Sequence, residues 1–174
     1  MASLGIPAFR LYLLRHAHAA WPHPGQTDFD RSLDDDGFAE AEVIAEEAAD
    51  QGYRPDLVLS STALRCRQTA EPFRRTIGEE LAIDYIDQLY SGGVDTYAEI
   101  AFAARPQTAV MIVGHNPMIE EFLHRRVGKE IAEAAAPFGY PTAGFAILDF
   151  DERPTEARQT PACLAGFVTP RPAA

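Results

Sequence analysis

Leu11-Tyr12-Leu13-Leu14-Arg15-His16-Ala17-His18 decides how the 174-residue chain is read, because an apolar run stops there at a cation and two histidines. Phe9 to Leu14 is short, rich in β-formers and broken only by Arg10, which predicts a buried strand of a parallel sheet rather than a helix of ordinary length. In open α/β sheets the ligand crevice lies beyond the carboxyl ends of strands, so Arg15 and His16 are placed at its mouth. Taken alone, the pair reads more readily as a surface charge beside a hydrogen-bonded loop residue. Other strand ends have to decide.

Working outward, Ala19 to Leu33 carries Trp21, Pro22, Pro24 and Gly25 with Asp28 and Asp30, the composition of a surface loop that could line the crevice. Asp34 to Asp36 supply N-cap candidates for a covering helix whose apolar stripe is Ala41, Ile44, Ala45 and Ala48, ending before Gly52. Asp56 to Ser60 reads as a second buried strand. Ser61 and Thr62 then cap a helix that carries Arg65 in its first turn, and Pro72 should kink or restart it. Leu81 to Ile86 is a third strand by its β-branched and aromatic content, followed by a helix from about Val94 to Ala104.

Ala109 to Val113, five apolar residues in a row, is a fourth strand, and Gly114-His115-Asn116-Pro117 follows it. Asn116 fits an N-cap and Pro117 the first helical position, which puts His115 between a strand's carboxyl end and a helix's amino end, where free amides favour an anion. That helix should stop at Gly128. Ala143 to Phe150 and Cys163 to Val168 close the chain as strands, antiparallel at a sheet edge, with a polar, proline-containing loop between them. Strand alternating with helix over the first 127 residues implies right-handed crossovers and a three-layer α/β/α fold with a mostly parallel sheet. The length suits a single domain over residues 1–174 with no large cap insertion.

Composition narrows the partners. Hydrophobic residues make up 47% and charged residues 24%, as in soluble globular proteins, and a formal net charge of -11 argues against nucleic acid. Two cysteines, Cys66 and Cys163, are too few for a disulfide framework, so a reducing cytoplasm is the expected setting. No apolar run is long enough for a membrane span. Any anionic ligand must therefore be held by local cations.

Three strand ends deliver His16, Arg65 and His115, with Arg15 beside the first. Guanidinium forks bind phosphoryl oxygens bidentately, and a neutral imidazole nitrogen can attack phosphorus to give a covalent phosphohistidine. The attacking ring must then keep its proton on the other nitrogen, held by a backbone carbonyl.

With these residues assembled, the chain resembles the histidine phosphatase superfamily, the group of phosphoglycerate mutases and acid phosphatases, and within it the short phosphohistidine phosphatase branch. Leu14-Arg15-His16-Ala17 looks like the family's Arg-His-Gly signature with Ala in place of Gly. Ser60-Ser61-Thr62-Ala63-Leu64-Arg65-Cys66-Arg67-Gln68-Thr69-Ala70 looks like its second motif and Val113-Gly114-His115-Asn116-Pro117 like its third. Asp30-Arg31-Ser32-Leu33, Pro141-Thr142 and Phe167-Val168-Thr169-Pro170 resemble the short branch. The resemblance implies that His16 is the phosphoacceptor, that Arg15 and Arg65 bind the phosphate, and that His115 stabilises the transferring group, without a cofactor or metal. The implied substrates are a phosphorylated protein carrying phosphohistidine or a small phosphoester, with inorganic phosphate as product.

The larger members carry a catalytic glutamate after the third strand and insertions that roof the site. Here Asp87 is the nearest carboxylate, and no motif places it over the phosphate. Alternative readings remain: a broad-specificity small-molecule phosphomonoesterase, a metal-dependent hydrolase using His16, His18 and His115, or a phospho-binding module that needs only the arginines. His18 is expected at the rim.

Overall fold

The first strand, β1 (Phe9–Arg15), shows on its two faces why the chain layers as it does. Leu11 and Leu13 point into one apolar cluster, and Tyr12 and Leu14 into another on the opposite side of the sheet. A computed structural model describes residues 5–155 and 160–171. Its elements run β1, a 3-10 turn (Asp28–Asp30), α1 (Asp35–Asp50), β2 (Leu57–Ser61), α2 (Leu64–Ile77), β3 (Ala82–Ile86), α3 (Gln88–Ser91), α4 (Val94–Phe102), β4 (Ala109–Gly114), α5 (Met118–Val127), α6 (Lys129–Ala135), β5 (Phe145–Phe150) and β6 (Cys163–Val168). The sheet order is β3-β2-β4-β1-β5-β6. The four strands from β3 to β1 are parallel, while β5 and β6 add antiparallel at the far edge.

Helices cover both faces, which makes the architecture the expected three-layer α/β/α. On one side Ala41, Ile44 and Ala45 of α1 and Ala70 and Phe73 of α2 pack on Tyr12, Val58 and Met111. On the other, Tyr97 and Phe102 of α4 and Ile119 and Phe122 of α5 pack on Leu11, Leu59 and Ile112. Burying each of the larger aliphatic and phenylalanine side chains stabilises by about 1.5–3 kcal/mol, and both faces of the central strands are covered.

Several expected boundaries move. Asp34 does cap α1, accepting from Gly37 N at 2.8 Å. Ser61, however, is the last residue of β2, and α2 starts at Leu64 with Ala63 at its cap and no side-chain capping bond. Pro72 sits inside α2 without ending it; it removes one intrahelical bond, and the burial of Cys66, Thr69, Ala70 and Phe73 along one face keeps the helix continuous. Asn116 and Pro117 do not occupy the N-cap and first position: α5 begins at Met118, with Ile119 N donating to His115 O at 2.9 Å, and Asn116 spends its amide on Glu120 and the Tyr140 carbonyl instead. The helix expected to reach Ala104 ends at Phe102, and α3 and α6 are additional short helices. Gly128 does end α5, and α6 follows it directly. The closing strands form as expected, β5 starting at Phe145; residues 156–159 of the loop between them lie outside the described residues.

One buried tyrosine ties the antiparallel edge to the central strand. Tyr140 donates from its hydroxyl to Leu13 O at 2.6 Å and accepts from Ala146 N at 3.1 Å. Its own carbonyl faces the other way, toward Arg15 and Asn116. Tyr140→Phe leaves a buried donor and acceptor unmatched, so urea denaturation should show a loss of about 1–3 kcal/mol.

Candidate active site

Strand register alone brings the two histidines together. Arg15 pairs with Gly114 across β1 and β4, so the next residues in each chain segment, His16 and His115, emerge side by side at the carboxyl ends. Their ring centroids lie 5.4 Å apart. Ser60 pairs with Val113 across β2 and β4, which sets Ser61 beside His115 and delivers Arg65 from the first turn of α2. All four expected residues, Arg15, His16, Arg65 and His115, line one cavity of about 660 Å³.

Close approach at this junction needs Gly114, where a Cβ would lie 2.6 Å from the Tyr97 hydroxyl. That hydroxyl accepts from His115 N at 3.2 Å and donates to Leu89 O at 2.6 Å. On the β1 side, His16 N donates to Gly114 O, Ala143 N donates to His16 O, and Ala17 N donates to Thr69 Oγ1, which itself donates to Arg65 O. Ala17 replaces glycine at no conformational cost, because Ala143 is the one non-glycine residue with positive φ among the described residues.

Arg65 is 6% exposed and determines the protonation of both rings. Its Nε donates to His16 Nε2 at 3.4 Å and its Nη2 to His115 Nδ1 at 3.3 Å, and a guanidinium has no acceptor to offer. His16 Nδ1 therefore carries its ring's proton, donated to Ala17 O at 2.8 Å, and Nε2 presents a lone pair to the cavity. In His115 the proton sits on Nε2, donated to Ser61 Oγ at 2.8 Å. Burial, with Arg65 and Arg15 nearby, pulls His16 down to about 4. Burial, His16 and Arg65 pull His115 down to about 3. Desolvation is the largest cause in both.

Arg15 donates from Nη1 to Tyr140 O at 2.7 Å, and its buried Nε has no hydrogen-bond partner. Remaining contacts of Arg65 go to Asp28, whose carbonyl accepts from Nη1 at 2.7 Å and whose Oδ2 accepts from Nη2 at 3.1 Å. Arg31 Nη1 donates to Asp28 Oδ1 at 3.1 Å and Tyr90 OH to Oδ2 at 3.0 Å. Asp28, Arg31 and Tyr90 all line the cavity, with Trp21 at its edge. The loop from Ala19 to Leu33 was expected at the crevice, but no role was assigned within it. A visible signal was Arg31, the one arginine of that loop, which marks the loop as a source of positive charge without singling out a carboxylate.

The structure also places His18 and Asp87. His18 lies at the rim, 55% exposed, with Nδ1 on Asp34 Oδ2 at 2.5 Å. Among the described residues, no three His, Cys, Asp or Glu side chains converge as a metal site requires. Asp87 does not line the cavity; its Oδ1 accepts from Thr62 Oγ1 at 2.8 Å.

The site thus sets two neutral imidazoles, one with a free lone pair, between guanidinium groups at strand ends, an arrangement suited to an anionic phosphoryl group. The sequence profile of the histidine phosphatase superfamily (branch 1) matches residues 11–90. A crystal structure of the "putative phosphohistidine phosphatase SixA" from Agrobacterium tumefaciens is 46% identical, superposes with a TM-score of 0.84, and the match covers 95% of this chain and 100% of that one. An uncharacterized Mycobacterium leprae protein is 30% identical over 165 residues, 91% of this chain and 100% of that one. An uncharacterized chloroplastic protein of Arabidopsis thaliana is 33% identical over 122 residues, 64% of this chain and 56% of that protein. The chain belongs to the histidine phosphatase superfamily, and its chemistry is that of a phosphatase. Among the described residues no helix is long and apolar enough to cross a membrane.

Both histidines have folded-state values below the ordinary imidazole value, so the unfolded chain takes up protons first on acidification. Stability should fall as pH drops from about 6.5 toward 4. The check is the urea midpoint against pH, and His115→Gln should flatten that slope.

Proposed function

We propose that the protein hydrolyses phosphohistidine on protein substrates through a covalent intermediate on His16. The observation that carries this reading is the His16 tautomer: Nδ1–H on Ala17 O leaves the Nε2 lone pair in the cavity, beside Arg65. The nitrogen attacks phosphorus while Arg15 and Arg65 hold the equatorial oxygens; the buried, unpaired Nε of Arg15 is a donor ready for one of them. His115 takes part by changing tautomer. Ser61 can donate to Nε2 as well as accept from it, which frees Nδ1–H for a phosphoryl oxygen. Water then displaces His16 from phosphorus and releases inorganic phosphate.

What surrounds the cavity supports this substrate class. His115, Asn116 and Pro117 alone separate β4 from α5, so no segment there roofs the site. Asp87, the nearest carboxylate after β3, accepts from Thr62 rather than facing the cavity. A mouth of this kind admits a phosphoryl group displayed on a protein surface, whereas selective binding of a small metabolite needs enclosure. Expelling an alkoxide needs a positioned acid worth roughly 10² to 10⁴ in rate, and a P–N bond to imidazole needs it less.

Quenching with labelled substrate at alkaline pH should trap phosphate on His16, and His16→Ala should abolish turnover. Arg65→Ala should cost about 3 kcal/mol or more of transition-state binding. kcat/KM should favour a phosphohistidine peptide over phosphoserine or phosphoglycerate by at least about 10². Equal rates on the two classes would make the protein a small-molecule phosphomonoesterase. Activity should survive EDTA, because arginines supply the positive charge at phosphorus; loss restored by zinc would favour a metallohydrolase.

A further inference from the structure

Among the described residues Asp28 is the one carboxylate lining the cavity, and phosphate binding as set out above does not use it. It is separated from His16 by the width of a single guanidinium: Arg65 touches His16 Nε2 through Nε and Asp28 Oδ2 through Nη2. A ring leaving phosphorus opposite His16 would therefore depart over the Arg65 fork, toward the Asp28 side of the cavity. Asp28 is also fixed in place, by Arg31 on Oδ1 and by Tyr90 and Arg65 on Oδ2, and its side chain remains 52% exposed to the mouth.

We propose that Asp28 is a specificity-determining residue for phosphohistidine, its carboxylate accepting a hydrogen bond from the ring nitrogen of the substrate histidine that is not bonded to phosphorus. The inference rests on the phosphohistidine reading and deepens it. When the P–N bond breaks, its electron pair goes to the ring. A ring with a proton on the distal nitrogen leaves as neutral imidazole, while a ring without that proton must leave as imidazolate, a far more basic anion. Asp28 favours the protonated ring by charge-assisted hydrogen bonding, and no proton moves during the displacement. His16 has the same device in the second half of the reaction, where Ala17 O keeps the proton on Nδ1 while Nε2 leaves phosphorus.

Asp28 is suited to accept and unsuited to donate. Partial burial acts to raise its pKa, but hydrogen bonds from Arg31 and Tyr90 and the charge of Arg65 outweigh that and hold it below the ordinary carboxylate value. It is ionised at neutral pH and has no proton for an alkoxide. The same residue therefore favours imidazole as a leaving group and does nothing for a serine or sugar phosphate.

The test compares Asp28→Asn with the unsubstituted protein on a phosphohistidine peptide and on p-nitrophenyl phosphate, whose leaving group has no distal N–H. We expect the variant to lose at least about tenfold more kcat/KM on the peptide than on the aryl ester, the effect of weakening one charge-assisted hydrogen bond. Asp28→Glu should recover part of the difference. Equal losses on both substrates would overturn the inference and make Asp28 a holder of Arg65, and no loss on either would overturn it as well. If the unsubstituted protein turns over the aryl ester but not the peptide, the phosphohistidine reading itself has failed. Circular dichroism of the variant, with its residual aryl activity, shows that the fold is intact.

Discussion

The buried guanidinium of Arg65 is the constraint on which the site depends. Taking an isolated charge out of water costs several kcal/mol unless its donors are matched, and an arginine brings five donors in one plane. Four of its contacts go to His16, His115, the Asp28 carbonyl and the Asp28 carboxylate, which come from three separate parts of the chain. Each must present a lone pair. For two imidazoles that requirement fixes which nitrogen holds the proton, and the carbonyl of Ala17 and the hydroxyl of Ser61 take the protons that result. Charge burial in α2 thus sets the protonation of His16 just after β1 and of His115 just after β4.

The same arrangement reconciles an acidic protein with an anionic ligand. A formal charge of -11 repels phosphate at long range, but that repulsion is screened within about one Debye length at physiological salt. Inside the cavity the count is reversed among the described residues, with Arg15, Arg31 and Arg65 against Asp28 alone. The positive surplus suits a phosphoryl dianion, and the one negative charge is kept to the side held by Arg31 and Tyr90. His16 and His115 add no further charge, because desolvation keeps them neutral.

What could be read in the sequence was whatever depends on local pattern. Leu11 to Leu14 and Val110 to Val113 are buried on both faces, so their apolar runs announce strands, and the polar residues that follow stand at the strand ends. His16, His115, Arg15 and Arg65 were reachable in this way. Boundaries set by tertiary contacts were not. Asn116 has the right identity for an N-cap, but Glu120 and the Tyr140 carbonyl compete for its side chain. Pro72 is a helix breaker by local rule, overridden by a buried face. Asp28 was illegible for a different reason. Nothing in Thr27-Asp28-Phe29-Asp30 separates one aspartate from the other, and only the fold shows that Asp28 meets Arg65 while Asp30 accepts from Thr27.

A symmetry of chemistry follows from this placement. In the mechanism proposed above, phosphorus passes from one imidazole to another and then to water, so each half-reaction ends with a ring leaving phosphorus, and each ring leaves well only with a proton on its far nitrogen. In the enzyme that proton is held by a backbone carbonyl, which no substitution at Ala17 removes, because it belongs to the chain itself. A substrate ring arrives from solvent without such a partner, and a side chain has to supply one. A side chain can be lost or exchanged. The nucleophile's leaving ability is therefore tied to the fold, while the choice of substrate leaving group rests on one loop carboxylate and the residues that keep it ionised.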